Sequence, residues 1–390
     1  MDLDVFLGMM GERAASDLFF GVGAPPALKV DGALQMLDMP ALDAAAVAGI
    51  AHGIMDDEQR LAFASGHEMN FTLHRQDLGR FRVNLYRQRQ QIGIAIRYVP
   101  SRIPGIDELR LPESFKDLIM QPRGLILVVG GAGSGKTTTL AAMIDHRNHH
   151  HTGHILSIED PIEYLHQHRR SLVDQREVGV DTTSYAEAMR NALRQAPDVI
   201  FIGEIRDRVT MEQAMVYAQT GQLCLATLHA NNASQTIARI LSFFPDEARQ
   251  QVLLDLSLNL KAVISQRLLR TVRGGRRAPA VELLLQTPFV ADLIRAGQIE
   301  QLADAMKQGL ALGMLTFEES LVRLVDAGLV SWDEALANAD SRSDLALRRR
   351  LNEPMAMAAT VDGPQLAATA HADDSVGTWV DGGVHQRHKT

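Results

Sequence analysis

An α/β fold is predicted for this chain by three observations. The apolar run LILVV, residues 125–129, leads straight into the glycine-rich stretch GGAGSGKTTTL (Gly130–Leu140), and Leu140, Met143, Ile144 and Arg147 then recur at helical spacing. Three further apolar runs, HILSI, DVIFIG and LCLATLH, alternate with helical stretches, the signature of a mostly parallel sheet covered on both faces. Ahead of them lie about a hundred residues in which short strands with period-2 alternation surround one helical region, an α+β layout.

In chain order, the Pro25-Pro26 and Asp31-Gly32 pairs in LFFGVGAPPALKVDGAL punctuate two short apolar runs and predict hairpin-like turns. Residues 41–65, rich in Ala and Leu, read as helical. FTLH, RFRVNLY and IGIAIRY then read as strands. Phe81, Val83 and Leu85 share one face of the second, and Ile92, Ile94 and Ile96 one face of the third. Arg80, Arg82 and Arg97 fall on the opposite face. SRIPGIDELRLPE, with two prolines and mixed charge, reads as a connection.

Within the alternating region, Ser184 followed by Glu187 predicts a capped helix, YAEAMRNALRQ, that stops before Pro197. Asn232 is placed as the cap of a helix whose face carries Ile237, Ile240, Leu241 and Phe244. Beyond about residue 286 the strand signal disappears. Thr316 with Glu319, and Ser331 with Glu334, predict two more capped helices separated by Gly328. His149, His150 and His151 read as a solvated loop, and Arg348, Arg349 and Arg350 as the basic end of a helix. The expected domains are 1–100, a connection 101–118, 119–285 with the parallel sheet, a helical domain 286–351, and a disordered tail 352–390 rich in small and polar residues.

Composition narrows the function. Lys and Arg number 39 against 47 Asp and Glu, a net charge of −8, which argues against a dedicated nucleic-acid binder. With Cys224 the sole cysteine, one chain can make neither an internal disulfide nor a four-cysteine zinc site. No apolar run approaches the roughly 20 residues needed to span a bilayer, so no integral membrane segment and a cytoplasmic location are expected.

The chemistry is carried by three clusters. Gly130, four intervening residues, then Gly135, Lys136 and Thr137 has the spacing of a phosphate-binding loop, to which Gly133, Ser134 and Thr138 also belong. Glycines let successive amides face phosphate, Lys136 reaches the terminal phosphates, and the Thr137 hydroxyl ligates Mg²⁺. Two acidic clusters follow at strand ends: SIEDPIEY, with Glu159, Asp160 and Glu163, and DVIFIGEIRD, with Asp198, Glu204, Arg206 and Asp207. Hydrolysis requires one carboxylate to orient the attacking water and another to hold Mg²⁺. TLHANNA sets Thr227 and His229 at a further strand end, open to either a structural or a phosphate-sensing role.

In the order GGAGSGKTT, SIEDPIEY, DVIFIGEIRD and ATLHANNA, these stretches resemble the Walker A, Asp, Walker B and His boxes of the secretion ATPase superfamily. SDLFFGVGAPP, LGRFRVN, LVDQREVG, ALRQAPDVI and LGMLTFEESL resemble the type IV pilus retraction ATPases, the PilT/PilU family, from about residue 10 to about 350. The resemblance implies a PAS-like N-terminal domain, a RecA-like P-loop ATPase domain and a small helical C-terminal domain. It also implies a homo-hexameric ring, peripheral at the inner-membrane base of a pilus machine, that hydrolyses ATP with Mg²⁺ and meets a membrane platform protein. By the same resemblance Glu163 is the catalytic carboxylate, Glu204 organises Mg²⁺ together with Thr137, His229 reads the nucleotide state, and Arg82 and Arg97 approach the γ-phosphate.

Two departures from the pattern stand out. Gly131-Ala132 replaces the Pro-Thr of many relatives, outside the required positions. PFVADLIRAG stands where PilT-type proteins carry Ala-Ile-Arg-Asn-Leu-Ile, with Ala291 in place of the arginine. This favours a PilU-like accessory motor that cooperates with a PilT-like ATPase. The alternatives are a secretion or pilus-assembly ATPase, whose usual four-cysteine module is missing here, and a mainly regulatory ATP-binding ring.

Overall fold

Two sheets organise the protein, the first with one buried apolar cluster and the second with one on each face. The structure, a computed structural model, describes residues 2–352 apart from 31, 101, 275 and 276. The tail expected from 352 lies outside them, Asn352 excepted.

The first sheet is built from α1 (Leu3–Glu12), β1 (Ala15–Phe20), β2 (Ala27–Val30), β3 (Ala33–Met36), α2 (Ala44–Ile54), α3 (Asp57–Ser65), β4 (Glu68–Arg75), β5 (Gly79–Gln88) and β6 (Gln91–Val99). Its six antiparallel strands run in the order β3-β2-β1-β6-β5-β4. Alternation decides the two faces: Leu18, Phe20, Phe81, Val83, Leu85, Ile94 and Ile96 are buried together with Leu3, Phe6, Leu7 and Met10 of α1 and Val47, Ile50 and Ala51 of α2. Ile92 is only half-buried, since it lies near the strand's start. Arg82 and Arg97, paired across β5 and β6, occupy the other face, as expected.

The second sheet follows α4 (Ser114–Ile119): β7 (Gly124–Val129), α5 (Lys136–His150), β8 (Gly153–Glu159), β9 (Ser171–Glu177), α6 (Tyr185–Ala192), β10 (Val199–Ile202), α7 (Arg208–Thr220), β11 (Leu223–Leu228), α8 (Ala233–Ser242), α9 (Asp246–Asn259), β12 (Leu260–Arg270) and β13 (Arg277–Leu285). Strand order is β13-β12-β7-β11-β10-β8-β9, parallel throughout except for β13. Both faces are covered, so successive residues enter different cores. Leu125, Leu127, Val129, Ile200, Ile202, Cys224 and Ala226 pack on one side, and Ile126, Val128, Val199, Phe201, Leu223 and Leu225 on the other.

The four expected strands are present; β9, β12 and β13 are additional. The stretch read as a connection does more than connect, because Ile106, Leu111, Phe115, Leu118 and Ile119 are buried in the second core. Helices α10 (Pro288–Arg295), α11 (Leu302–Gln308), α12 (Phe317–Asp326), α13 (Trp332–Asn338) and α14 (Arg342–Asn352) complete the chain. Ser184, Asn232, Thr316 and Ser331 cap their helices as expected, each side chain accepting the amide three residues on. Phe317, Leu321, Ala335 and Leu345 form a small cluster against Leu269, Ala278 and Ala280 at the far end of β12 and β13.

The histidine run corrects one expectation. His149 and His150 are the last turn of α5 and His151 caps it. The Nδ1 of His149 lies 2.8 Å from the Asp145 carbonyl and that of His150 2.7 Å from the His146 carbonyl, so both rings fold back on the last turn of the helix. Arg147, on the apolar stripe of the same helix, is buried with Nη1 donating to the carbonyls of Ile119 (2.7 Å) and Gln121 (3.0 Å).

Glu282, on β13, is a buried acid whose Oε1 accepts from the Ala233 amide at the start of α8 (2.7 Å) and from Ser265 Oγ (2.9 Å). Burial is the main force on its carboxyl and pushes the pKa from 4.5 to about 7. Between those values the folded protein keeps a proton that the unfolded chain has released, so this residue's contribution falls as pH rises from 4.5 to about 7, by at most about 3 kcal/mol. Glu282→Gln keeps an acceptor for Ala233 and removes the titration. Its thermal midpoint should therefore gain on wild type between about pH 5 and pH 7.5; parallel midpoint curves would count against a neutral Glu282.

Candidate active site

A parallel sheet brings the carboxyl ends of its strands to one edge. At that edge β7 gives way to the loop 130–135, in which Gly130, Gly133 and Gly135 hold φ of +151°, +71° and +89°. Space forbids a side chain as firmly as the dihedrals do. A Cβ on Gly130 would meet the Gln266 carbonyl oxygen at 2.5 Å, and one on Gly135 would meet Gln266 Nε2 at 2.7 Å. Gln266 is itself fixed, its Oε1 accepting from Thr139 Oγ1 at 2.7 Å.

Lys136 opens α5, and its Nζ donates to the carbonyls of Gly130 and Gly131, each at 2.9 Å. Burial lowers its pKa, against the pull of Glu204. Thr138 Oγ1 lies 3.0 Å from the Tyr164 hydroxyl, linking this loop to the one after β8.

Glu159 ends β8, buried, with Oε1 accepting from Ser157 Oγ (2.7 Å) and Gln175 Nε2 (3.1 Å). Burial raises its pKa. Glu163 follows at the surface of the same loop. Glu204, just past β10, has both oxygens engaged: Oε2 with Arg206 Nε (2.8 Å) and Oε1 with His229 Nε2 (3.0 Å), the latter from the end of β11. Arg206 also lies 3.5 Å from Asp160 Oδ2. Thr227 donates to the Gly203 carbonyl and binds the ends of β10 and β11 together.

One cavity of about 180 Å³ gathers Lys136, Thr137, Glu159, Glu163, Glu204 and His229. The structure thus brings together Lys136 and Thr137 of the glycine loop, Glu159, Asp160 and Glu163 of the first acidic cluster, Glu204 of the second, and His229. Asp198 is not among them: it precedes β10 at the opposite end of the strand and accepts the His154 amide, and Asp207 caps α7. Arg82 reaches the same cavity from the first sheet, with Nη1 3.2 Å from Glu163 Oε1 and Nη2 donating to the Ile162 carbonyl. Arg97 stays on its own sheet, its Nε 2.7 Å from Asp17 Oδ1, at the wall of a cleft of about 610 Å³ that also includes Arg82 and Asp160.

A larger cavity of about 710 Å³ lies on the other side of the glycine loop, walled by Gly135, Thr138 and Thr139, by Arg110 and Leu111 before β7, and by Arg273, Gly274 and Arg277 at the turn between β12 and β13. Arg277 Nη1 lies 3.4 Å from the Gly133 carbonyl. This cavity escaped the sequence reading, because its walls beyond the glycine loop come from segments without a motif, around Leu109, Leu268 and Gly328. Tyr185 was missed as well. It is the residue next to the Ser184 cap, and it lines the smaller cavity with a hydroxyl that burial and neighbouring carboxylates keep protonated.

The residues present fit a nucleoside triphosphate. At Gly130 and Gly135 the loop leaves no room for a side chain, cation and carboxylates lie beside it, and the adjoining cavity is large enough for a base and ribose. Residues 61–310 match the model of the type II/IV secretion system protein family. The chain belongs to this family. It is 48% identical to the type IV pilus ATPase PilU of Pseudomonas aeruginosa, over 90% of this chain and 92% of that one. It is 41% identical to the type IV pilus retraction ATPase PilT of the same organism, over 87% and 98%. A crystal structure of the pilus retraction motor PilT with bound ADP superposes with a TM-score of 0.83 at 39% identity, over 89% of this chain and 99% of that one. Within the family, then, this is a P-loop ATPase of the type IV pilus retraction group.

Gly130→Ala tests the cradle. With backbone and carbonyl in the way of the methyl group, ADP affinity should fall at least about tenfold, while the far-ultraviolet circular dichroism stays that of wild type. Unchanged ADP affinity would show that the loop can rearrange around a side chain.

Proposed function

We propose that this chain is one subunit of a homo-hexameric ring that hydrolyses ATP to withdraw a type IV pilus, acting as a PilU-like accessory motor beside a PilT-like ATPase. The observation that carries this reading is the meeting of Lys136, Thr137, Glu163, Glu204 and His229 in one cavity, with Arg82 of the other sheet placed on Glu163. The loss of the arginine at Ala291 in α10 supports the accessory role.

In this reading Lys136 neutralises the terminal phosphates, and Thr137 and Glu204 hold Mg²⁺, which when bound draws charge from the phosphate oxygens. Glu163 orients the attacking water. His229, in contact with Glu204, reports the state of the phosphate end. Arg82 and Arg97 add positive charge as the N-terminal domain closes, so domain motion and hydrolysis are coupled. The expected domains are 1–100, 119–285 and 286–351 with 101–118 between the first two, and in this reading it is 1–100 that closes over the nucleotide; α10 and α11 of 286–351 share the core of the second sheet. No described helix is long and apolar enough to cross a membrane. In keeping with the pilus ATPases it resembles, the ring would work from the cytoplasmic side, against a platform protein at the inner-membrane base of the pilus.

Retraction of labelled pili in cells lacking the gene tests this directly. Wild type should restore retraction frequency or force, and Lys136→Ala should not; equal rescue by both would favour a regulatory ring. Arg82→Ala and Arg97→Ala should each lower turnover at saturating ATP about 10²- to 10³-fold. Normal turnover in both would remove the arginines from the mechanism.

A further inference from the structure

Two arginines of β5 converge on one residue of the loop after β8. Arg82 donates to the Ile162 carbonyl and pairs with Glu163. Arg80, two residues earlier, pairs with Glu177 at the end of β9, its Nη2 3.1 Å from Oε2. That same oxygen accepts the Ile162 amide at 3.3 Å. The first sheet thus holds both polar groups of the Ile162 backbone, the carbonyl directly and the amide through Glu177. The Ile162 side chain is buried as well.

Glu177 is well placed to act as a fixed point. Its own amide donates to Asp181 Oδ2 at 2.8 Å, and the next amide, that of Val178, donates to the Glu159 carbonyl at 2.9 Å. The pair is shielded, with the Arg80 and Glu177 side chains 16% and 8% exposed, whereas Glu163 is 42% exposed. A shielded ion pair contributes little net stability but is costly to break from one side, so it specifies a geometry.

We propose that Arg80 and Glu177 are a positioning pair for the hydrolytic reaction. They fix Ile162, and through the adjoining peptide they fix the carboxylate of Glu163. Neither residue lines the cavity that holds Lys136 and Glu204, although Glu177 lines the adjoining cleft with Arg82 and Arg97. The proposal rests on the reading of Glu163 as the carboxylate that orients water. It adds that the N-terminal sheet sets this carboxylate by a second route, independent of Arg82's direct contact. Misplacing a catalytic group by about 1 Å costs up to about 100-fold in rate without any loss of ligand contacts, and this separates positioning from general structural support.

Steady-state ATP turnover and ADP affinity of the full chain provide the test. Arg80→Ala should lower kcat about 10- to 100-fold while the Kd for ADP stays within about twofold of wild type. Arg80→Lys, which keeps the charge opposite Glu177, should recover most of that loss. If Arg80→Ala fails to fold, Glu177→Gln takes its place. It keeps an acceptor for the Ile162 amide and removes only the ion pair, and the same split between kcat and Kd is expected. The proposal is overturned if kcat stays within about threefold of wild type, if kcat and ADP affinity fall together, or if lysine is no better than alanine. Glu163→Gln is measured alongside. An inactive Glu163→Gln beside a normal Arg80→Ala removes the positioning pair alone, whereas a fully active Glu163→Gln removes the role of Glu163 and the pair with it.

Discussion

A strand buried on both faces has no solvent-facing side on which to carry polar residues, so the chemistry of such a sheet must move to the strand ends. The core of the second sheet imposes this constraint, and the site follows from it. Leu125–Val129, Val199–Ile202 and Leu223–Leu228 are entirely buried, and the first polar or glycine residue beyond each is a site residue or leads to one. Because the strands are parallel, those ends share an edge. Lys136, Glu163, Glu204 and His229 lie far apart in sequence, yet they share a cavity because four strands run in the same direction.

The first sheet obeys a different rule. Antiparallel and covered by helices on one face only, it keeps a polar face, and Arg80 and Arg82 on that face meet Glu177 and Glu163 of the second sheet. The buried apolar clusters of the two sheets are separate. What holds the polar face to the nucleotide loops is therefore charge and hydrogen bonding, which depend steeply on distance and orientation.

Much of this was legible beforehand for simple reasons. Apolar runs of four to six residues beside a phosphate-binding spacing marked β7, β8, β10 and β11, and side-chain caps at Ser184, Asn232, Thr316 and Ser331 marked their helices. Strand β9 was harder to see, since SLVDQRE carries polar residues that serve the site: Gln175 binds Glu159, and Glu177 binds Arg80. In β12 and β13, Ser265, Gln266 and Glu282 interrupt the apolar pattern because each is held by a buried partner. The partner of Arg82 could not be read at all, because it depends on how two sheets meet and no local spacing records that. The helix α1 is a different case. Leu3, Phe6, Leu7 and Met10 follow the helical period behind an Asp2 cap, a signal present in the sequence but only ten residues long and without a glycine stop.

Arg147 bears on how force would pass through the molecule. Its guanidinium ties the far half of α5 to the carbonyls of Ile119 and Gln121, just ahead of β7, while the near end of the same helix carries the phosphate loop and is tied through Thr139 to Gln266. Loop, helix and central strand are thereby triangulated into a stiff element with little freedom to deform. The seam between the sheets lacks a shared apolar core and is held at a few charged contacts, Arg80 with Glu177 and Arg82 with Glu163. A displacement of the first sheet would therefore reach the nucleotide loops through those contacts, while the cradle at the start of α5 is braced on its own side by Gln266 and Arg147.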